Sequence, residues 1–264
     1  MSSPTCDPPA FITDWGNTVR WPTVEQIEQD LVLSRLIIEI ANDDYLGNEL
    51  VFRGGTCLHK LHLNPALRYS EDLDYVRRSD GGIGVLLDAV RAIADRLDMR
   101  VTTNIKSFPK IRLRAPFTSG NGTMSVKVEV NTYERSPARE LVRVPYTVDS
   151  QWYQGTADVQ TFVIAELVAT KIRALFQRSK GRDLFDLWLA LTELDVPPAD
   201  IVECFAPYRP DKFTAALAEQ NLRAKLIDPS FRQDLDQLVS IQRNEYDIDV
   251  AAELIIGQLL DELV

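Results

Sequence analysis

Apolar residues along this chain recur first at mixed helical and strand spacings, then at helical spacing alone. Thr23-Val24-Glu25-Gln26 has the form of a capping box. Ile27, Leu31, Leu36, Ile37 and Ile40 follow near a 3.6-residue period, which predicts a helix to about Asp44 with one face in the core. The apolar run Leu50-Val51-Phe52 meets Gly54-Gly55, and Thr56 to Leu61 resumes helical spacing, so the segment reads as strand, glycine turn, helix. Asp72-Leu73-Asp74-Tyr75-Val76 alternates as a strand does, with both aspartates on one face. Ile83 to Leu97 has the pattern of an amphipathic helix. Three strands are predicted next, Val101 to Lys106, Ile111 to Ala115 and Met124 to Asn131, separated by Pro109 and by the turn residues Ser119-Gly120-Asn121-Gly122. In the last, Met124, Val126, Val128 and Val130 form an apolar face, and Ser125, Lys127, Glu129 and Asn131 a polar one. Pro145 to Gly155 reads as a linker, after which the pattern is helical, with breaks at Gly181, Pro197-Pro198, Pro207 to Pro210 and Asp228-Pro229. The expected fold class is therefore α/β (α+β), with a sheet-bearing domain over residues 1–155 and an α-helical domain over 156–264.

Composition narrows this picture. With 264 residues, 45% hydrophobic and 26% charged, the chain can bury one sizeable core or two modest ones without disulfides. Cys6, Cys57 and Cys204 are odd in number and form no CxxC pair, which favours a reducing compartment over a disulfide framework or zinc site. The first residues lack a basic start and an apolar run, and nowhere do about 18 uninterrupted apolar residues occur, so the expectation is a cytoplasmic protein without a membrane span. The net charge of −10 argues against indiscriminate nucleic-acid coating. Residues 100–145 run against it, with nine Lys or Arg and three Glu, a local balance of +6. Residues 171–182 add Lys171, Arg173, Arg178, Lys180 and Arg182 without an acid. Such stretches fit either a confined polyanion site or solvated element faces.

Candidate chemistry falls in two places. In the first, Gly54-Gly55-Thr56 is followed after fifteen residues by Asp72-x-Asp74. Two glycines between strand and helix let backbone N–H groups approach a phosphate, with the helix N-terminus and the Thr56 hydroxyl as further donors. Aspartates at i and i+2 of a strand can together ligate Mg²⁺ or Mn²⁺, whose oxygen shell substrate phosphate completes. Taken singly, a GGT is usually a turn and a DxD usually solvated. In the second place, Ile164, Val168 and Leu175 form a helical seam, and Lys171 stands in it where an apolar residue is expected. That ammonium either snorkels to solvent or meets negative charge, such as that developing on a transferred phosphate. On the catalytic reading, Lys171→Met leaves stability intact. Asp183 and Asp186 lie three apart near the start of a helix over Arg182 to Leu194, facing the same way, as helix-end acids or functional ones. Leu184, Leu187, Trp188 and Leu191 make a core stripe, and His59 and His62 lack the further ligands a metal pair needs.

Gly-[Ser/Thr] followed by Asp-x-Asp resembles the signature of DNA-polymerase-β-like nucleotidyltransferases. Phe52-Arg53-Gly54-Gly55-Thr56 with Arg68-Tyr69-Ser70-Glu71-Asp72-Leu73-Asp74 resembles more closely the AbiEii/AbiGii toxin family, including the MenT-like toxins of type IV toxin–antitoxin systems, with Arg53 for the commoner Lys. Lys171-x₆-Arg178-x₄-Asp183-x₂-Asp186 is similar to the second motif of that family, while Val163 stands where some members have a further lysine. The resemblance implies a polymerase-β-like core with a mixed sheet and a helical C-terminal domain that carries the second motif. It implies catalysis by Asp72, Asp74, Lys171 and Asp186, and nucleotide binding by Gly54, Gly55, Thr56, Ser70, Lys171, Arg178 and Asp183, with Asp183 and Asp186 positioning Lys171 or binding nucleotide. Such folds supply a third metal carboxylate from a neighbouring strand; Glu129 is the candidate, its alternative role being a partner for Lys127 or a strand arginine. Implied partners are an NTP as substrate, Mg²⁺ or Mn²⁺, tRNA or another RNA as acceptor, and a cognate antitoxin. Lys110, Arg112 and Arg114, opposite Ile111 and Leu113, are the candidate RNA contacts. Two rival functions use the same residues: a protein phosphotransferase with the same metal site, and a catalytically silent nucleotide-binding module. The intact Asp72-x-Asp74 pair and Lys171 count against the silent module.

Overall fold

The computed structural model describes residues 9–105, 109–118, 120, 122–239 and 246–263. Cys6, the Lys106 end of the predicted third strand, and Ser119 and Asn121 of the predicted turn lie outside these residues. The chain divides into two compact units, Met1–Arg135 with Arg143–Thr161, and Ser136–Val142 with Phe162–Val264.

The first unit is built on a seven-stranded mixed sheet. Its helices are α1 (Ala10–Val19), α2 (Val24–Ala41), α3 (Leu46–Glu49), α4 (Gly54–Cys57, continued by a wider turn over Leu58–His62) and α5 (Gly84–Arg96). Its strands are β1 (Leu50–Arg53), β2 (Asp72–Arg77), β3 (Arg100–Asn104), β4 (Lys110–Pro116), β5 (Thr123–Asn131), β6 (Val142–Asp149) and β7 (Gln154–Thr161), in the order β3-β4-β5-β2-β1-β7-β6. β2 runs antiparallel to β1 and parallel to β5. The capping box at α2 is formed: Thr23 Oγ1 accepts from Gln26 N, and Gln26 Oε1 from Thr23 N, both at 3.2 Å. α2 stops at Ala41 rather than near Asp44, because the Asp43 carboxylate accepts the N–H groups of Tyr45 and Leu46 and starts α3. Ile111, Leu113, Met124, Val126, Val128 and Val130 are all buried, as their alternation requires, with α2 against β5 and β7 and α5 against β3.

Two parts of this unit were not predicted. α1 has no capping signal, since Pro9 supplies no side-chain hydrogen bond. Pro145 to Gly155 is no linker but the heart of a strand pair, β6 and β7, that completes the sheet beside β1 through Phe52 and Thr161. Pro145 is tolerated there because β6 is an edge strand of the sheet.

The second unit is helical: α6 (Ile164–Gln177), α7 (Gly181–Thr192), α8 (Pro198–Phe205), α9 (Ala215–Leu226), α10 (Pro229–Arg232) and α11 (Ile248–Ile255). Gly181 opens α7 one residue before the expected Arg182, at a place where a Cβ would fall 2.2 Å from the Phe231 carbonyl oxygen. The fully buried Glu166 accepts from Ala138 N (2.7 Å), Arg139 N (3.1 Å) and Tyr208 Oη (2.5 Å). A buried carboxylate so satisfied ties the 136–142 segment into the helical unit. Among the described residues no helix is long and apolar enough to cross a membrane.

Candidate active site

In the sheet unit the first motif is assembled by close backbone approach. Gly54 has φ +83°, and a Cβ there would fall 2.5 Å from Asp74 Oδ2. A Cβ on Gly55 would fall 2.2 Å from Nη2 of Arg68. Each glycine therefore admits a functional group: the first a candidate metal carboxylate, the second a buried guanidinium. Thr56 is buried, and its hydroxyl donates to the Asp72 carbonyl at 2.6 Å and lies 2.8 Å from the Ser70 hydroxyl. The hydroxyl expected to meet phosphate is thus committed to β2, so backbone N–H groups at the start of α4 are the candidate phosphate donors of the turn.

The loop before β2 is fixed from behind. Buried His59 accepts from Leu67 N (3.2 Å) and Arg68 N (3.3 Å) through Nδ1, so it shapes the chain that delivers Arg68, Ser70 and Asp72. Arg68 Nη1 donates to the Tyr69 carbonyl at 3.1 Å. Burial pushes His62 below the usual histidine range.

Strand register brings the acids and bases of this unit onto one sheet face. Asp72 stands beside Lys127 and Asp74 beside Glu129; across β5, Lys110 stands beside Glu129 and Arg112 beside Lys127. The Lys127 ammonium sits among the carboxylates, 2.8 Å from Asp72 Oδ2 and 3.3 Å from Glu129 Oε2. Burial alone would lower the pKa of Lys127, but Asp72, with Glu129 and Asp74, outweighs it and holds the amine above its ordinary value. Glu129 also meets Lys110 at 3.4 Å, so the candidate third carboxylate shares its charge between two lysines. Among the described residues no three acids, histidines or cysteines close on a common metal position. The fit for a divalent cation rests on two groups, Asp72 and Asp74, side by side, with the Asp72 side chain 40% exposed and a cationic group already seated there. That donor set suits Mg²⁺ or Mn²⁺, which keep water and take phosphate oxygens for the rest of their shell.

Lys110, Arg112 and Arg114 are exposed on this same face. The rest of the basic stretch is dispersed. Arg135 pairs with Asp80, Arg139 belongs to the helical unit and meets Asp200 and Glu203, and Arg143 donates to the carbonyls of Asp158 and Gly47. The +6 balance is therefore not one surface; its exposed core is the β4 row with Arg100 on β3.

In the helical unit the second motif is a closed ionic cluster. Lys171 does not snorkel: its side chain is 6% exposed, with Nζ 2.7 Å from Asp186 Oδ2 and 3.8 Å from Asp183 Oδ1, both acids being fully buried. Arg178 engages Asp183 in a fork, Nε to Oδ2 at 2.6 Å and Nη2 to Oδ1 at 2.7 Å, from a side chain half exposed to solvent. Asp183 and Asp186 thus face inward from α7, against Lys171 of α6, and do not act as helix caps. The Phe185 and Trp188 rings stack beside them at 5.9 Å, and Tyr246 meets both edge-on. Cys57 and Cys204 are buried and form no disulfide among the described residues.

Sequence reasoning missed one group in the sheet unit and half of another's role. Arg68 had a signal, its place in the motif, but its approach to Gly55 depends on the loop's tertiary path. Lys127 was expected only as a partner for Glu129, which it meets at 3.3 Å; that it also meets Asp72 is decided by the parallel pairing with β2.

The family profile of the AbiEii nucleotidyl transferase toxins of type IV toxin–antitoxin systems matches residues 35–252. Among solved structures, the protein JHP933 of Helicobacter pylori is similar at a TM-score of 0.52 and 17% identity, covering 92% of this chain and 94% of that one. MenT4, a nucleotidyltransferase toxin of Mycobacterium tuberculosis, is similar at a TM-score of 0.52 and 18% identity, covering 92% of this chain and 98% of that one. At these identities the two structures establish a shared fold. Comparison with curated proteins yields no match.

Proposed function

This chain belongs to the AbiEii nucleotidyl transferase toxin family, and from that premise we propose that it transfers a nucleoside monophosphate from an NTP to a hydroxyl of RNA, foremost the 3′ end of tRNA. The observation that carries the reading is the placement of Asp72 and Asp74 on one face of β2, against the Gly54-Gly55 turn and across β5 from the exposed Lys110, Arg112 and Arg114. Phosphate, divalent cation and a polyanionic acceptor each have matching chemistry within one unit.

Asp72 and Asp74 would hold Mg²⁺ or Mn²⁺, which offsets charge on the phosphates when bound. Backbone N–H groups of the Gly54-Gly55 turn would meet the triphosphate, and Gly54 keeps the Asp74 carboxylate against that turn. Thr56 and Ser70 fix the loop that carries Asp72. The acceptor oxygen bonds to the α-phosphorus, the bond from that phosphorus to the bridging oxygen breaks, and pyrophosphate leaves with the electron pair. The hydroxyl proton is released as the new ester forms. Lys171, Asp186, Arg178 and Asp183 enter the reaction through family resemblance; their own geometry supports a rigid, charge-compensated cluster. A cognate antitoxin, as type IV systems imply, restrains the activity in the cell.

Incubating the protein with each labelled NTP, a divalent cation and total RNA tests the reading. The expected result is label on RNA with stoichiometric pyrophosphate. With the label moved from the α- to the γ-phosphate, release of nucleoside diphosphate with label on protein would indicate phosphotransfer, and binding without turnover a silent nucleotide module.

A further inference from the structure

Lys127 has no role in the reaction outlined above, yet it occupies the centre of the carboxylate group. Its ammonium contacts Asp72 at 2.8 Å and Glu129 at 3.3 Å, from neighbouring register positions of β2 and β5 on the same sheet face as Asp74. The side chain is 22% exposed, so the contact is only partly screened by water. We propose that Lys127 is a tethered counter-ion of the carboxylate pair, seated where a divalent cation binds and displaced by it, so that its ammonium sets how much metal the site requires.

The inference rests on the metal reading of Asp72 and Asp74 and goes further by assigning a competitor. Oδ2 of Asp72 cannot serve an ammonium and a divalent ion at full strength at once, because the two cations repel at that range. Without metal, Lys127 relieves the mutual repulsion of Asp72, Asp74 and Glu129. With metal, that relief is redundant and the ammonium is driven off Asp72. The lysine can leave without a large packing loss, because its long stem swings on β5 and Glu129 offers a second carboxylate on the same strand.

Titration of Mn²⁺ followed by electron paramagnetic resonance tests this on the full chain, with wild type, Lys127→Met, Lys127→Arg and Asp72→Asn. Lys127→Met should bind Mn²⁺ about tenfold more tightly, the scale of one lost charge contact, and Lys127→Arg should stay near wild type. The Mn²⁺-dependent rise in melting temperature should also be larger in Lys127→Met. If Lys127→Met gains no affinity while Asp72→Asn loses the site, Lys127 is a fixed neighbour and the inference falls, with the metal reading standing. If neither wild type nor Lys127→Met binds Mn²⁺, or Asp72→Asn binds like wild type, the metal reading fails and takes the inference with it. Should Lys127→Met lack a cooperative thermal transition, the smaller change Lys127→Gln carries the same comparison.

Discussion

Gly54 and Asp74 are held so closely that no side chain fits between them: a Cβ on Gly54 would fall 2.5 Å from Asp74 Oδ2, on a residue whose φ is +83°. β1 and β2 fix the distance, since Arg53 pairs with Asp74 in their antiparallel register. The conformation of the glycine turn and the position of a candidate metal carboxylate are therefore one structural fact.

Gly54→Ala should consequently damage the site in two ways. Left-handed backbone strain at a residue with a Cβ costs about 1–2 kcal/mol, read as a lower urea midpoint. Displacement of the Asp74 carboxylate should reduce pyrophosphate release about 10²-fold, the scale of a 1 Å misplacement of a reacting group. Turnover at the wild-type level in this variant would remove Asp74 from the reacting centre.

Asp72→Asn and Asp74→Asn should each abolish transfer and leave the fold intact. The Asp72 side chain is 40% exposed, so loss of its contact with Lys127 should change stability by about 1 kcal/mol or less. Thermal melting and NTP turnover measured together decide the matter. Loss of the cooperative transition in parallel with activity would mark the pair as structural.

Lys171→Met carries a different expectation in the folded protein than in the bare sequence. A lysine that snorkels can be replaced at no loss, but Lys171 is 6% exposed and lies 2.7 Å from the fully buried Asp186. Removing it leaves a buried carboxylate uncompensated, which should lower stability by about 3–5 kcal/mol. Adding Asp186→Leu should restore most of that stability. The double variant is then the informative one: if it is stable and turns over like wild type, the cluster is scaffold, and if it is stable and inactive, the cluster takes part in the reaction.

What the sequence discloses and what it withholds follow one division. Gly54-Gly55-Thr56, Asp72-x-Asp74 and the inward face of Met124 to Val130 depend on local period and turn chemistry, and all were legible. The misplacement of Lys171 in an apolar seam was legible too, but its partners were offered only by the family resemblance, because Asp183 and Asp186 reach it from another helix. β6 and β7 were hidden because Pro145 and Gly155 read as breakers, although Val142, Val144, Tyr146 and Val148 alternate with polar or Pro positions, and pairing with β1 is what makes the pair part of the sheet. The basic stretch misled in a similar way. Linear charge counting cannot know that Arg135, Arg139 and Arg143 have local partners, leaving the β4 row as the exposed remainder.

That remainder supports the last prediction. An acidic protein of net charge −10 repels polyanions at a distance, so RNA can be held productively only where local positive charge prevails within about 8 Å, the Debye length at physiological salt. Arg112 and Arg114 are exposed on β4, and Lys110 is exposed and meets Glu129 at 3.4 Å, all on the carboxylate face. Replacing these three by Ser should leave the buried Ile111 and Leu113 in place and keep the fold. RNA transfer should weaken and its dependence on salt should flatten, because fewer counterions are released per complex. NTP binding at the Gly54-Gly55 turn should be spared, since that turn meets phosphate through its backbone. Measuring transfer to RNA and NTP affinity across a salt series separates the two effects. An unchanged salt slope would sink the β4 row as the acceptor contact, and label appearing only on protein would sink RNA as the acceptor.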